Sequence, residues 1–257
     1  MTSNWYEGDS LTPNWGKFVN CKYRSKTMEP FLSSVLPNNK GRIVDFGAGT
    51  GCEAEILLNL GYDVTANEID PNFRNIAQRR LGSNAARVNW KSSDWRCLAE
   101  NMSQNSHNSG ILLGNSFSVL LDPRDRKAAA REFRHPLTPN AALIIDQRDF
   151  GYIIKNKERI LNNGFNYSYE IVYCGREVIG EPIRISEQKV TFGYFKRSND
   201  KKLGEIEMYP FQGREMIELF EEVGFNYLCS YLDLDKKVQY NTQRINSEFI
   251  THLFELK

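Results

Sequence analysis

The sequence predicts an α/β protein: a doubly wound parallel sheet that carries an antiparallel β insertion toward its C-terminal side. Two observations predict the parallel sheet. From Arg42 to Asp149, short apolar, β-branched runs alternate with helical patterns. The first run, Arg42 to Phe46, turns through Gly47-Ala48-Gly49-Thr50-Gly51 straight into the helical stretch Cys52 to Leu60. A third observation predicts the insertion: beyond about Asn163 the chain becomes rich in β-branched and aromatic residues with partial alternation.

In order, the chain opens on a leader with Trp5, Tyr6, Trp15, Phe18 and Tyr23 set among polar residues. That aromatic content is unlike a disordered tail and reads either as an arm packed on the domain or as a lid closing over a ligand. Met28, Phe31, Leu32 and Val35 space a helix over Thr27–Leu36, which Pro37 stops. After the glycine turn and its helix come a second strand at 62–67 ending at Glu68, and a helix from Pro71 to about Leu81. A third strand is expected at Ala86–Trp90, a loop with at most a short helix over 99–109, and a fourth strand at Ile111–Leu113. Helix 124–135 and a fifth strand, Ala142–Asp146, follow. The insertion should hold strands at Tyr167–Cys174, Ile183–Lys196 and Leu203–Tyr209. A helix over Gly213–Val223 and two last strands near 226–234 and 247–256 finish the sheet as a hairpin.

Lys and Arg number 33 against 32 Asp and Glu, so the net charge of +1 points to neither a nucleic-acid nor a membrane partner. The basic helix 124–135 holds a lone aromatic, Phe133, and no repeated aromatic interleaving, and reads as a solvated face. Five cysteines and three histidines are scattered singly, so neither a metal site nor a disulfide framework is expected, and Cys52 and Cys97 read as small buried hydrophobes. With no signal-type apolar run and no bilayer-length apolar segment, a soluble, cytoplasmic protein is expected.

A strand that turns on glycines into a helix N-terminus suits a nucleotide-like ligand: glycine allows close backbone approach, and the helix end offers free N–H groups. The dinucleotide fingerprint G-x-G-x-x-G puts its third glycine at the sixth position, where this chain has Cys52. Glu68, twenty-one residues past Gly47, can accept both hydrogen bonds of a ribose diol. Asp45-x-Gly47-x-Gly49-x-Gly51 with Glu68 resembles motif I and the following acidic motif of class I S-adenosylmethionine-dependent methyltransferases, which have a Rossmann-like sheet.

The resemblance extends to the glycine N-methyltransferase-like group. It is carried by Leu113-Gly114-Asn115-Ser116-Phe117, by Ile144 to Ile153, by Asp94-Trp95, by Trp15 with Arg24-Ser25-Lys26-Thr27, and by Met208-Tyr209-Pro210. The match is strong over 42–153 and loose elsewhere. It departs from the group at Lys26 (arginine there), Phe18 (tyrosine) and Val119 (histidine), which bear on the acceptor more than on the chemistry.

The resemblance implies one methyltransferase domain over 1–257, with an N-terminal lid over 1–40 and an inserted cap at about 164–210. It implies S-adenosylmethionine as cofactor, with Gly47, Ala48, Gly49 and Gly51 around its methionine portion, Glu68 on its ribose, and Asp94 and Trp95 at its adenine. Tyr6, Trp15, Lys26, Ile69 and Leu113 join that shell, and Asp45 orients the loop. No metal is implied, and homo-oligomers are allowed. For the acceptor, Arg148 can fork a carboxylate, Asn115 can hold or orient an amine, and Tyr209 can reach in from the insertion. Each has a plainer alternative: a surface ion pair with Asp146 or Asp149 for Arg148, and a core aromatic for Tyr209 and Trp95. The expected reaction is methyl transfer to a small-molecule amine such as glycine or sarcosine. The alternatives are methylation of a heterocyclic nitrogen or hydroxyl in a natural product, and a non-catalytic cofactor-binding module.

Overall fold

The computed structural model describes residues 6–7, 11–38, 40–163, 177–239 and 247–257. Its central sheet has eight strands in the order β11-β10-β12-β6-β5-β2-β3-β4. The parallel part is β2 (Arg42–Asp45), β3 (Asp63–Asn67), β4 (Asn89–Lys91), β5 (His107–Leu112) and β6 (Leu137–Arg148). β10 (Phe225–Leu232), β11 (Asp235–Gln239) and β12 (Phe249–Leu256) continue it antiparallel, β12 against β6.

Both faces are covered, and the period of two shows in how neighbours divide between two cores. Ile43 and Ile144 face one core, which also takes Met28, Phe31 and Leu32 of α2 (Cys21–Val35) and Ile56 and Leu57 of α3 (Cys52–Asn59). Val44, Phe46, Leu143 and Ile145 face the other, with Ala129 and Ala130 of α5 (Pro123–Glu132) and Phe220 of α8 (Glu215–Glu222). α4 (Pro71–Leu81) starts where its sequence says it should, with Asp70 capping the amide of Asn72 and Pro71 at the first turn.

A second sheet runs β1-β9-β8-β7, from β1 (Tyr6–Glu7), β7 (Val178–Ile185), β8 (Val190–Lys196) and β9 (Lys201–Met208). The expected single strand 183–196 is a hairpin here, because Ser186 and Lys189 close a turn through both the backbone and the serine hydroxyl. The strand expected at 167–174 lies outside the described residues.

Other boundaries shift for local reasons. Residues 82–87 form a 3-10 turn, so β4 starts three residues later than expected; Val88 N and Trp90 Nε1 both donate to the Ala85 carbonyl. β5 begins at His107 because the Thr65 hydroxyl, 2.8 Å from Nε2, makes a buried place for a polar residue. Gly110 fits there as glycine: a Cβ would come within 2.7 Å of Phe46 Cε2. β6 runs back to Leu137, with Asn140 at φ 62° inside it where a turn was expected. Two short helices follow, α6 (Phe150–Lys155) and α7 (Lys157–Asn163). The leader forms α1 (Leu11–Phe18) and α2, which begins six residues before the expected start at Thr27 because Asn20 caps Lys22 and Tyr23.

One expectation is corrected outright. Cys52 is not a free buried thiol: it forms a disulfide with Cys21 that joins the first residues of α2 and α3, Cα atoms 5.3 Å apart. Thirty-one residues separate them in sequence, and only the docking of the leader brings them together. No described helix is long and apolar enough to cross a membrane.

Candidate functional site

A cleft of about 380 Å³ opens at the C-terminal ends of β2, β3, β5 and β6, where ligands of such sheets bind. The glycine turn forms its floor. Asp45 Oδ1 accepts from Gly47 N at 3.1 Å, Ala48 N donates to the Asn67 carbonyl at 2.9 Å, and Gly49 N donates to Glu68 Oε2 at 2.8 Å. Gly49 and Gly51 take φ of 51° and 76°, values that a side chain would strain. Beneath, Arg80 of α4 reaches over and donates to the carbonyls of Thr50 and Gly51.

Glu68 is buried, and its second oxygen accepts from Asp70 N at 2.8 Å. Burial raises its carboxyl to about 7 despite these two amides. Trp95 is held by a 2.6 Å bond from its indole N–H to the Phe46 carbonyl, while Asp94 caps its own 3-10 turn and pairs with Arg96, which keeps its carboxyl below the ordinary value. Asn67 links the strand ends, donating to the carbonyls of Phe46 and Ser93 and accepting from Ser93 N. Ser93 Oγ, buried in the cleft wall, has no hydrogen-bond partner among the described residues.

At the other end, Gly114 and Asn115 adopt left-handed backbone, at φ 81° and 61°. Asp146 holds that turn by accepting from both amides, at 3.0 and 2.6 Å, and burial raises its carboxyl to about 6. The Asn115 side chain accepts from Arg148 N and from Ser118 Oγ, both at 2.9 Å, and donates to Met208 Sδ. Arg148 is 2% exposed, its guanidinium 4.4 Å from the Phe192 ring and 5.0 Å from the Phe249 ring. It is therefore buried and not at the surface.

The cleft brings together Trp15, Gly47, Ala48, Gly49, Glu68, Ile69, Asp94, Trp95, Leu113, Asn115 and Arg148. Asp45 and Gly51 support the loop from below rather than lining the cleft. Tyr6 pairs with Ile206 through its backbone, and its side chain lies outside the described residues.

Two expectations are corrected. Lys26 is exposed, with its ammonium over the Tyr23 ring, and it is Arg24, two residues back on the inward face, that enters the cleft and ion-pairs with Glu53. Tyr209 turns away from the cleft: its ring packs under Arg126 at 3.6 Å and on Phe211, and its hydroxyl faces Glu215. Its neighbour Met208 lines the cleft instead, as strand alternation requires. Phe18, named in the leader, lines the cleft, whereas sequence reasoning missed Ser93 and Tyr194. Tyr194 carries only a generic aromatic signal, while Ser93, next to Asp94, stood within reach of the motif.

Residues 43–140 match a family described as a methyltransferase domain. The chain carries a methyltransferase domain. Over nearly its whole length it is similar to proteins named glycine/sarcosine N-methyltransferase. That of Parasynechococcus marenigrum is 26% identical over 96% of this chain and 83% of its own length. That of Halorhodospira halochloris is 28% identical over 96% and 87%. Among solved structures, a S-adenosylmethionine-dependent methyltransferase from Clostridium acetobutylicum superposes with TM-score 0.69 at 19% identity, over 93% of this chain and 92% of that one. The fold around this methyltransferase domain is thus the Rossmann-like one of that class.

Proposed function

We propose that this chain transfers a methyl group from S-adenosylmethionine to the amine nitrogen of glycine or sarcosine. The observation that carries the reading is one cleft with the glycine turn and Glu68 at one end and Arg148, buried against the Phe192 and Phe249 rings, at the other. The names borne by its relatives support it.

The residues present fit such a cofactor. Each Glu68 oxygen uses one lone pair on a backbone amide and keeps another for a ribose hydroxyl. The Ser93 hydroxyl offers a buried hydrogen bond where the adenine would lie against Trp95 and Ile69. When bound, S-adenosylmethionine supplies a methyl group already activated on a sulfonium. The protein's own task is then to position the nucleophile, which supplies much of the rate.

Arg148 holds the acceptor's carboxylate through a two-pronged ion pair, and its two flanking rings fix the plane of the fork. A fixed cation nearby also lowers the amine's proton affinity, leaving its lone pair free. Asn115, whose side chain is engaged by Arg148 N, Ser118 and Met208, positions Arg148 rather than the substrate. The leader acts as a lid, supplying Trp15, Phe18 and Arg24, and the second sheet caps the cleft with Tyr194, Ile206 and Met208.

Release of S-adenosylhomocysteine with glycine, sarcosine and a panel of other amines tests this. Arg148→Lys, which keeps the charge and loses the fork, should raise KM for glycine by about thirtyfold while leaving S-adenosylhomocysteine affinity within about twofold. Methylation of neither compound, or an unchanged KM, overturns the reading in favour of an acceptor without a carboxylate.

A further inference from the structure

Two ties join the first turn of α2 to the first turn of α3, side by side. Cys21 is bonded to Cys52, and one turn along α2 Arg24 ion-pairs with Glu53. Arg24, Glu53 and Thr50 all line the cleft, and the Thr50 hydroxyl is 3.7 Å from Cys52 Sγ. The disulfide therefore lies directly beneath the cofactor floor and fastens the leader to it. The same leader supplies Trp15, Phe18 and Val19 to the cleft.

We propose that Cys21–Cys52 is a reversible thiol–disulfide exchange site, addressed by a dithiol reductant. Oxidised, it locks the leader over the cleft; reduced, it releases it. Its effect on ligand affinity rests on the cofactor reading above, but its effect on the leader does not.

The chemistry has a direction. Cys52 is 2% exposed, whereas Cys21 is only partly covered, so the reductant's thiolate attacks Cys21 Sγ. That bond forms as the Cys21–Cys52 bond breaks, and the electron pair leaves on Cys52 Sγ. This thiolate sits at the start of α3, whose N-cap Gly51 offers no side-chain cap, and the Thr50 hydroxyl can donate to it. Both lower its basicity and speed its departure. The reductant's second thiol then attacks its own sulfur on Cys21, closing to a disulfide and freeing the Cys21 thiolate. The two protons of the dithiol end on the two cysteines, and two electrons pass to the protein. With the bond open, the leader is held by the Arg24–Glu53 pair and by Trp15 packing on Phe73 and Tyr194.

The full chain is equilibrated with oxidised or reduced dithiothreitol, then probed by iodoacetamide labelling, by hydrogen exchange over 11–35, and by S-adenosylhomocysteine calorimetry. In the oxidised protein Cys21 and Cys52 should resist labelling while Cys97 and Cys229 react; after reduction Cys21 and Cys52 react too, and the amides of α1 and α2 exchange faster. If the released leader is docked about a tenth of the time, Kd rises about tenfold. Cys21→Ser should show the reduced-state Kd under both conditions. Labelling of Cys21 and Cys52 in the oxidised protein, unchanged exchange on reduction, or a Kd within about twofold in both states overturns the proposal. Binding in neither state would sink the cofactor reading instead, with labelling and exchange still deciding the latch.

Discussion

Replacing Glu68 by glutamine changes one atom and removes one charge from the cleft lining. The carboxylate accepts from Gly49 N and Asp70 N, both at 2.8 Å, with lone pairs left for a ligand's hydroxyls. A glutamine can accept on one side only, so its NH2 group opposes one of those two backbone donors. Losing a charge-assisted hydrogen bond to the ligand costs about 2 kcal/mol, or about thirtyfold in Kd for S-adenosylhomocysteine. Titration sharpens the test. With the free carboxyl at about 7, only the ionised form can accept from both ribose hydroxyls. Affinity should therefore fall about tenfold between roughly pH 8 and pH 6, and that slope should vanish in Glu68→Gln.

Stability of the ligand-free protein should run the other way. The folded-state value lies above the ordinary 4.5, so the folded protein binds this proton more tightly than the unfolded chain. The contribution is complete below 4.5 and is lost as pH rises through about 7, amounting to about 3 kcal/mol. Isothermal calorimetry from roughly pH 5.5 to 8.5, with denaturant unfolding over the same range, measures both. A flat binding profile, or a Glu68→Gln variant binding within about threefold of the parent, would refute the assignment of Glu68 to the ribose.

Three further outcomes follow from the geometry. Gly51→Ala should lose about 2–3 kcal/mol in urea unfolding, since φ is 76° and the new Cβ meets Ala77 Cβ at 3.0 Å; a loss under about 0.5 kcal/mol would mean the turn relaxes freely. Arg80→Leu, which frees the carbonyls of Thr50 and Gly51, should weaken S-adenosylhomocysteine about tenfold, with Arg80→Lys recovering part of it and KM for the acceptor unmoved. Tyr209→Phe should leave kcat/KM within about twofold, because the hydroxyl faces Glu215 at 3.3 Å and not the cleft; a large loss would return Tyr209 to the site.

The legible part of this protein was the part coded locally. Ile43, Val44, the glycine spacing and the helix that follows fix strand, turn and helix over about twenty consecutive residues, and Pro71 and Gly224 mark helix ends by backbone chemistry alone. Glu68, Asn115 and Arg148 were legible because parallel strands put their C-terminal ends on one edge, so residues just past each run share a cleft. Polar strands were less legible: His107-Asn108-Ser109 looks like loop until Thr65, forty-two residues away in sequence, supplies a buried partner.

What only the tertiary structure decided are the choices between neighbours. Arg24 and Lys26 stand two apart on α2, and Met208 and Tyr209 are adjacent on one segment; which enters the cleft depends on how helix and sheet are rotated against it. The same holds for Cys21 and Cys52, whose separate positions say nothing of pairing until α2 lies across the start of α3. By itself the sequence determined the glycine turn on the cleft floor, because glycine geometry and a helix N-terminus are local properties. Which side chains close over that turn was left to packing, because a shift of one residue sends a side chain to the opposite face of a strand and a hundred degrees round a helix.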